Sequence, residues 1–210
     1  MLTGGRPLRL FADALSQALN GATDILDVGT SQRFAKELRP FEHLFQNTNY
    51  RAAGYQPSRA FGLYNCDFDE DIQHLSFNDA QFDLVICLEV LEHVRDPFSA
   101  SRELMRVLRD DGRLLLTVPF IAGYHGKTGA SASHDEYPDL WRFTDEGLRQ
   151  LFAPLRELEI RPLYGPIATR LHGSRAWSLL KNPIVSRVFD RFDRPRDSRF
   201  TARWLLLGTK

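Results

Sequence analysis

Three side chains able to carry protons or bind ions follow directly on a strongly apolar run of this 210-residue chain. The run covers residues 84–88, and the side chains are Glu89, Glu92 and His93. A continuous apolar run of this length is typical of a parallel strand that is buried on both faces. Ligands of open α/β sheets bind at the carboxyl ends of the strands. The sequence therefore predicts a functional site where this strand ends.

A second group of polar residues falls between residues 121 and 143, in a long stretch rich in Gly, Ser and Ala that is typical of a substrate-binding lid. The polar members of the stretch are His125, His134, Asp135, Tyr137, Asp139 and Arg142. A histidine beside an aspartate can act as a general base near neutral pH. This makes His134, polarised by Asp135, the first candidate base, and His125 the second. The same residues have a spacing that permits a metal site, but two histidines on a long loop favour none.

The composition fits one cytoplasmic domain covering residues 1–210. Apolar residues make up 43% of the chain, and no segment approaches the ~20 apolar residues of a membrane-spanning helix. The N-terminus lacks the basic-then-apolar layout of a secretory signal. Cys66 and Cys87 are too few for a disulfide framework, which favours a reducing compartment.

The net charge of zero hides an asymmetry between two parts of the chain. Residues 65–111 contain twelve acidic side chains and four arginines, whereas residues 142–210 contain fourteen basic and seven acidic side chains. A basic half can meet an anionic partner such as a phosphorylated glycan, a lipid head group or nucleic acid. A solvated face with interspersed salt bridges is the simpler alternative. No base-recognition motif of the NPPY type is present, so we expect no nucleic-acid partner.

Strand and helix patterns alternate along the chain. Strands are predicted at residues 24–28, 50–55, 82–88, 113–118, 155–163 and 200–207. Helices are predicted at residues 8–19, 31–38, 97–108, 144–151 and 184–192, with Thr144 and Asn182 as N-caps. This alternation predicts a mostly parallel sheet with helices on both faces. Residues 166–198 are expected to form a helical insertion before the last strand. Its amphipathic helix leaves a peripheral membrane contact open, although packing on the domain is the better reading.

Three segments, taken in order, resemble a class I methyltransferase that uses S-adenosylmethionine. They are ILDVG at residues 25–29, FDLVICLEVLEHVRDP at 82–97 and LRDDGRLLLTVPF at 108–120. The resemblance covers residues 22–152 and implies a Rossmann-like sheet of seven strands. A further segment, HDEYPDLWRFTDEGLRQLF at residues 134–152, is similar to bacterial methyltransferases of glycan and cell-envelope metabolism.

The resemblance also implies a set of residues that hold S-adenosylmethionine. By position in the family pattern they are Asp27, Gly29 and Ser31 for the amino-acid end, Gln56 for the ribose, Asp67 and Phe68 for the adenine, and Leu88 and Glu89 near the sulfonium. Two positions depart from the pattern. Gly29 is followed by residues 30–33 without a second glycine, and Gln56 stands where an acid is usual.

The expected activity is methyl transfer to an oxygen or nitrogen nucleophile of a small molecule, for instance a glycan or a lipid-linked envelope intermediate. A non-catalytic protein that keeps the fold is the main alternative, and the two departures from the family pattern are its support. A nicotinamide-dependent oxidoreductase would need a GxGxxG turn, which residues 29–34 do not provide. The sequence leaves open whether the protein is a monomer or a homodimer.

Overall fold

The computed structural model describes residues 5–55, 65–126, 138–172, 174, 182–193 and 200–210. Four residues with predicted site roles lie outside these ranges, as do residues 127–137 of the predicted lid; they are Gln56, His134, Asp135 and Tyr137. Within the described ranges, no helix combines the length and apolar character needed to cross a membrane.

A single sheet of seven strands forms the centre of the described structure. The strands are β1 (Asp24–Val28), β2 (Asn49–Gly54), β3 (Phe68–Asp69), β4 (Phe82–Leu88), β5 (Leu108–Pro119), β6 (Arg156–Pro162) and β7 (Arg203–Thr209). Their order is β3-β2-β1-β4-β5-β7-β6. Strand β7 is antiparallel to both of its neighbours, and the other pairs are parallel. The predicted seven-stranded, mostly parallel sheet is confirmed.

Helices cover both faces of this sheet. They are α1 (Arg6–Leu19), α2 (Pro97–Val107), α3 (Asp145–Leu151), α4 (Pro166–Leu171) and α5 (Pro183–Phe189), together with 3-10 segments at Lys36–Phe45 and Leu91–His93. Because successive side chains of a strand point to opposite faces, Val85 and Ile86 belong to different cores. Val85 packs in the core that includes Leu104 of α2, and Ile86 in the core that includes Phe11 of α1.

The sequence correctly predicts where helices α3 and α5 begin. The Thr144 hydroxyl accepts a hydrogen bond from the Gly147 N–H at 3.0 Å, which caps α3. The Asn182 side chain accepts one from the Val185 N–H at 3.3 Å and caps α5. Helix α5 ends at Phe189, one turn earlier than the predicted end at Phe192.

The helix predicted at residues 31–38 is wrong. Gln32 instead forms a parallel bridge with Asn65, and a 3-10 segment begins only at Lys36. Phe34 has a φ of 51°, outside the helical range, its N–H donates to the Tyr50 hydroxyl at 3.2 Å, and its ring stacks on the Tyr50 ring at 4.2 Å. This packing against β2 outweighs the local helical pattern. Consequently no α-helix N-terminus follows β1.

Strand β5 starts five residues earlier than predicted. Residues 110–112, which precede the predicted strand, lie inside the observed one, in an irregularity where the register with β4 shifts between Phe82 and Leu84. Asp111 has a φ of 63°, and a Cβ on Gly112 would lie 2.8 Å from the Arg109 carbonyl oxygen. These turn-forming residues therefore produce a bulge in the strand instead of a strand boundary.

Candidate functional site

The parallel strands β1, β4 and β5 place their carboxyl ends at one edge of the sheet. Gly29 follows β1 and Glu89 follows β4, and both are tied to the neighbouring strands by backbone hydrogen bonds. The Gly29 N–H donates to the Ala53 carbonyl at 2.8 Å, and the Glu89 N–H donates to the Thr117 carbonyl at 2.9 Å. The predicted location of the site therefore corresponds to a well-ordered edge of the sheet.

Gly29 is required at this edge by its backbone and by its neighbour. Its φ is 78°, a left-handed conformation that L side chains rarely adopt. A Cβ at this position would lie 2.5 Å from both γ carbons of Val90, the second residue after β4. The loops that follow β1 and β4 are thus in close contact, and a glycine is what allows it.

The loop after β1 uses several of its own backbone groups on the protein. The Thr30 N–H donates to the Ala53 carbonyl at 3.3 Å, and the Arg33 N–H donates to the Asn65 carbonyl at 3.1 Å. The Ser31 carbonyl accepts from the Asn65 N–H at 3.0 Å, and the Ser31 side chain is exposed. The loop is therefore held against the segment that precedes β3.

Two carboxylates assigned to the co-substrate by the resemblance also have protein partners. Asp27 is 3% exposed and accepts a hydrogen bond from the Tyr50 hydroxyl at 2.5 Å. Burial and this carboxylate together raise the pKa of Tyr50 well above its usual value. Asp67 accepts from the Ala52 N–H at 2.8 Å and from the Arg33 guanidinium. It precedes β3, whereas the resemblance places the adenine acid after the third strand.

The acids that do follow β3 are Glu70 and Asp71, which the sequence analysis left unassigned. Glu70 is buried and accepts from the Ser76 N–H at 2.9 Å, while Asp71 accepts from the Gln73 N–H at 2.9 Å. The run from Asp67 to Asp71 contains four acids, and only the position of the two-residue strand β3 tells which of them follow it. Phe68 lies in this strand and packs edge-to-face on Phe77 at 5.2 Å.

Leu88 and Glu89 end β4 in different environments. Leu88 is buried in the core on the α1 face. Glu89 has a φ of 54°, and its carboxylate lies 3.1 Å from the Arg203 Nε atom. Burial opposes the charge of Arg203, but the carboxylates of Glu89 and Glu37 raise the pKa of its guanidinium. Arg203 thus balances a carboxylate at the edge, a role that its distant position in the sequence did not reveal.

A compact cluster of Glu92, His93 and His125 lies beside Glu89. Glu92 is completely buried, and its Oε1 atom lies 3.4 Å from Nε2 of His125 and 3.6 Å from Nε2 of His93. The two imidazole rings meet edge to face with their centroids 5.1 Å apart. Glu92 and His93 come from the 3-10 turn after β4, whereas His125 comes from the chain that follows β5.

The outer nitrogens of both histidines have oxygen partners. Nδ1 of His93 lies 2.7 Å from the Pro138 carbonyl oxygen, and Nδ1 of His125 lies 3.3 Å from Asp139 Oδ2. Arg142 in turn holds Asp139 through two contacts of 2.5 and 2.6 Å. Burial opposes ionisation of Asp139, but the hydrogen bonds from Arg142 and the His125 N–H lower its pKa to about 2. The hydrogen bond to Glu92 outweighs burial and raises the pKa of His125.

The structure therefore brings part of the second polar group to the first; His134, Asp135 and Tyr137 of the second group lie outside the described residues. His125, Asp139 and Arg142 return from the stretch after β5 to Glu92 and His93 after β4. Each group follows a buried strand in the sequence, and this position is what marked its residues as candidates for the site. Nothing in the sequence gave the distance between them, because residues 92 and 125 are brought together only by the pairing of β4 with β5.

Known proteins share both the sequence pattern and this fold. Residues 26–116 match the family model of the methyltransferase domain. The matched stretch of the methyltransferase domain runs from β1 into β5 and includes Gly29, Glu89, Glu92 and His93. These residues build the carboxyl edge described above.

Curated relatives match parts of this chain. The tRNA U34 carboxymethyltransferase of Nautilia profundicola is 32% identical over 111 residues, which cover 48% of this chain and 35% of the relative. The ubiquinone biosynthesis O-methyltransferase of Haemophilus ducreyi is 41% identical over 49 residues, covering 23% of this chain and 21% of the relative. The chain thus spans about a third or less of the length of these relatives.

A solved structure extends the likeness to the whole fold. The S-adenosylmethionine-dependent methyltransferase of Archaeoglobus fulgidus covers 98% of this chain and 95% of its own length, with a TM-score of 0.59 and 12% identity. At that identity the likeness concerns the fold alone. Together with the domain match, it agrees with the Rossmann-like sheet expected for a class I methyltransferase.

Proposed function

We propose that this chain binds S-adenosylmethionine at the carboxyl edge of β1, β2 and β4 and transfers its methyl group to an oxygen or nitrogen nucleophile of a small molecule. The observation that carries the proposal is the coincidence of the methyltransferase-domain match with the strands that build this edge. The polar cluster around Glu92 supplies a place for an acceptor next to that edge.

The electrostatics of the edge fit a sulfonium co-substrate. Asp71 follows β3, and Glu89 follows β4 beside Arg203, so a cation approaching this edge meets carboxylates from two sides. Gly29 leaves the end of β1 free of a side chain. We assign the residues named by the resemblance to the co-substrate, and we propose that Asp27 and Asp67 share their carboxylates between it and their protein partners.

The chemistry of methyl transfer makes alignment the main task of the protein. When bound, S-adenosylmethionine supplies an activated methyl group for an in-line displacement. Orientation and exclusion of water can account for ~7–11 kcal/mol of barrier lowering. A base is needed only for a poorly acidic hydroxyl or a protonated amine, and His134 with Asp135 remains the proposed base. Both ring nitrogens of His125 face oxygen atoms, which suits a positioning role better than proton abstraction.

The acceptor class is proposed from sequence. The segment at residues 134–152 and the excess of basic side chains in residues 142–210 favour a glycan or a lipid-linked envelope intermediate with anionic groups. We propose that the protein methylates this acceptor in the bacterial cytoplasm. The two curated relatives are named for tRNA modification and for ubiquinone biosynthesis. Because these acceptors differ in chemistry, the relatives do not favour one over the other.

Calorimetric titration with S-adenosylhomocysteine, the demethylated product, tests the binding step. We expect Gln56→Ala to weaken binding and Gln56→Asp to keep or tighten it, because an ionised acceptor forms a ribose hydrogen bond stronger by roughly 1 kcal/mol. Gln46→Ala, at an exposed position behind the 3-10 segment, is the matched control and should bind like wild type. Equal affinities for all four proteins would remove Gln56 from the site.

One observation favours a second candidate, a protein that keeps the fold without methyl transfer. Asp27 and the backbone donors after β1 are already engaged with Tyr50 and Ala53, which is the arrangement expected if that part of the edge had become structural. The same titration separates the candidates. Absence of heat and of any thermal shift at millimolar product would favour the second candidate and overturn the first.

A further inference from the structure

We propose that Glu92, His93 and His125 form a binding site for a divalent transition-metal ion such as Zn²⁺. Each residue offers one ligand atom, and the three atoms all lie within 4.8 Å of one another. The sequence predicted no metal site, and its only candidate ligands were His125, His134 and Asp135. Glu92 and His93 were not part of that consideration.

The distances inside the cluster also fit shared coordination of an ion. Glu92 Oε1 lies 3.4 Å from His125 Nε2 and 3.6 Å from His93 Nε2. An N–H···O hydrogen bond is best at about 2.9–3.0 Å, so both contacts are long for one. Two ligand atoms on a tetrahedral zinc ion, each about 2.0–2.1 Å from the metal, lie roughly 3.3–3.4 Å apart. The two distances from Glu92 are therefore close to the spacing of neighbouring ligands around an ion.

The burial of Glu92 provides a second, independent argument. Its side chain is fully inaccessible to solvent, and its Oε2 atom has no hydrogen-bond partner among the described residues. A buried carboxylate that is only weakly hydrogen-bonded carries a large desolvation cost. A cation between Glu92 and the two histidines would offset this cost directly.

The surroundings of the two imidazoles are those of metal ligands. A ligating histidine usually donates its second ring N–H to a carbonyl or a carboxylate, which directs the other nitrogen at the metal. Nδ1 of His93 faces the Pro138 carbonyl oxygen at 2.7 Å, and Nδ1 of His125 faces Asp139, itself held by Arg142. Both Nε2 atoms are thereby left to point at Glu92.

The donor set and its exposure indicate the kind of ion and its use. Two imidazoles and one carboxylate suit Zn²⁺, Co²⁺, Mn²⁺ or Fe²⁺, whereas Mg²⁺ prefers oxygen ligands. Three protein ligands leave at least one coordination position open, as in catalytic zinc sites. The His125 side chain is 37% exposed, so the cluster is reachable from solvent. That an acceptor oxygen takes the open position rests on the proposed function; metal binding itself does not.

The test is a Zn²⁺ titration of untagged, chelator-stripped protein, followed by Co²⁺ substitution to record visible d–d absorption. Wild type should bind one Zn²⁺ per chain and give Co²⁺ bands. His93→Ala and His125→Ala should each weaken binding by more than about tenfold, since loss of an outer-shell partner alone costs that much. His43→Ala removes an exposed histidine elsewhere and should behave like wild type.

The folded state of each variant and the Zn²⁺ affinity of a double variant are measured as well. Circular dichroism in the presence of chelator checks that each variant is folded. Glu92→Gln replaces a buried side chain. If this variant is unfolded, the variants of the two partly exposed histidines decide whether the site binds metal. Equal Zn²⁺ affinity of wild type and the His93→Ala/His125→Ala double variant would overturn the proposal, as would absence of binding to wild type. Because these titrations contain no S-adenosylmethionine, their failure is distinguishable from failure of the methyltransferase proposal.

Discussion

Two glycines of this chain share a left-handed backbone but differ in their surroundings. Gly21 and Gly29 have φ values of 77° and 78°. A Cβ on Gly21 meets nothing within 4 Å, whereas a Cβ on Gly29 meets both γ carbons of Val90 at 2.5 Å. The pair therefore separates the cost of the backbone conformation from the cost of crowding at the carboxyl edge.

We expect Gly21→Ala to lower the free energy of unfolding by roughly 1–2 kcal/mol, the cost of a left-handed alanine. Gly29→Ala should lower it by about 1–3 kcal/mol more, because overpacking against Val90 is added. Urea denaturation followed by circular dichroism measures both values. Equal losses for the two variants would show that the loops after β1 and β4 are not in contact.

The second prediction at this scale concerns Asp67. Asp67→Ala leaves the Ala52 N–H without its carboxylate acceptor and the Arg33 guanidinium without its partner. We expect a loss of roughly 1–3 kcal/mol in the free energy of unfolding, the usual cost of an orphaned donor. Asp13→Ala, at an exposed position of α1, is the control and should change stability little. A stable Asp67→Ala protein with weakened product binding would instead make Asp67 primarily a binding residue.

Single residues could be read from the sequence by type and position, but not by partner. The position of Glu89, Glu92 and His93 behind an apolar strand predicted a site at the strand end, and the structure places all three after β4. The hydrogen bond between Asp27 and Tyr50 joins residues 23 positions apart, and no local pattern encodes it. The contact between Glu92 and His125 was likewise hidden, because residues 92 and 125 lie 33 positions apart.

Helix α3 shows which features of an element are local enough to be predicted. Its N-cap, Thr144, accepts from the Gly147 N–H, and Leu148 and Leu151 are buried. Both features follow from sequence spacing within one segment. The helix expected at residues 31–38 failed because Phe34 packs on Tyr50, and a contact over 16 positions lies beyond such a pattern.

We expect Thr144→Ala to destabilise the protein by about 1 kcal/mol, because α3 loses the acceptor for one of its free N–H groups. Thr144→Ser keeps the hydroxyl and should retain most of the stability. Thermal unfolding of the three proteins at equal concentration provides the comparison. A Thr144→Ser variant as unstable as Thr144→Ala would show that the methyl group, and not the cap, is what matters at this position.

At the scale of the whole molecule, the alternation of strands and helices predicted more of the fold than any single motif did. Continuous apolar runs at β4 and β5 predicted strands that are buried on both faces, and helices pack on both faces of them. The insertion of β7 between β5 and β6 in antiparallel orientation was not predictable from periodicity. It depends on long-range pairing of a strand at the chain end, for which only the resemblance gave a hint.

The acid stability of the whole protein should depend on His172, the residue after α4. Burial first, and then the charges of Arg203 and His125, lower the pKa of His172 to about 4, from 6.5. The unfolded chain therefore binds more protons at this residue than the folded chain between these two values. Stability rises with pH wherever the unfolded state binds more protons. The protonation of His172 in the unfolded chain should therefore lower the free energy of unfolding as the pH falls from 6.5 towards 4, and should leave it unchanged above pH 6.5.

Denaturant titrations of wild type and His172→Gln across this range provide the measurement. The free energy of unfolding of wild type should fall more steeply with acidification than that of His172→Gln, since glutamine takes up no proton. The difference between the two proteins should change only between the two pKa values and be constant above them. His43→Gln, which replaces an exposed histidine, should follow the wild-type curve. Parallel curves for wild type and His172→Gln would mean that His172 titrates alike in the folded and unfolded chains.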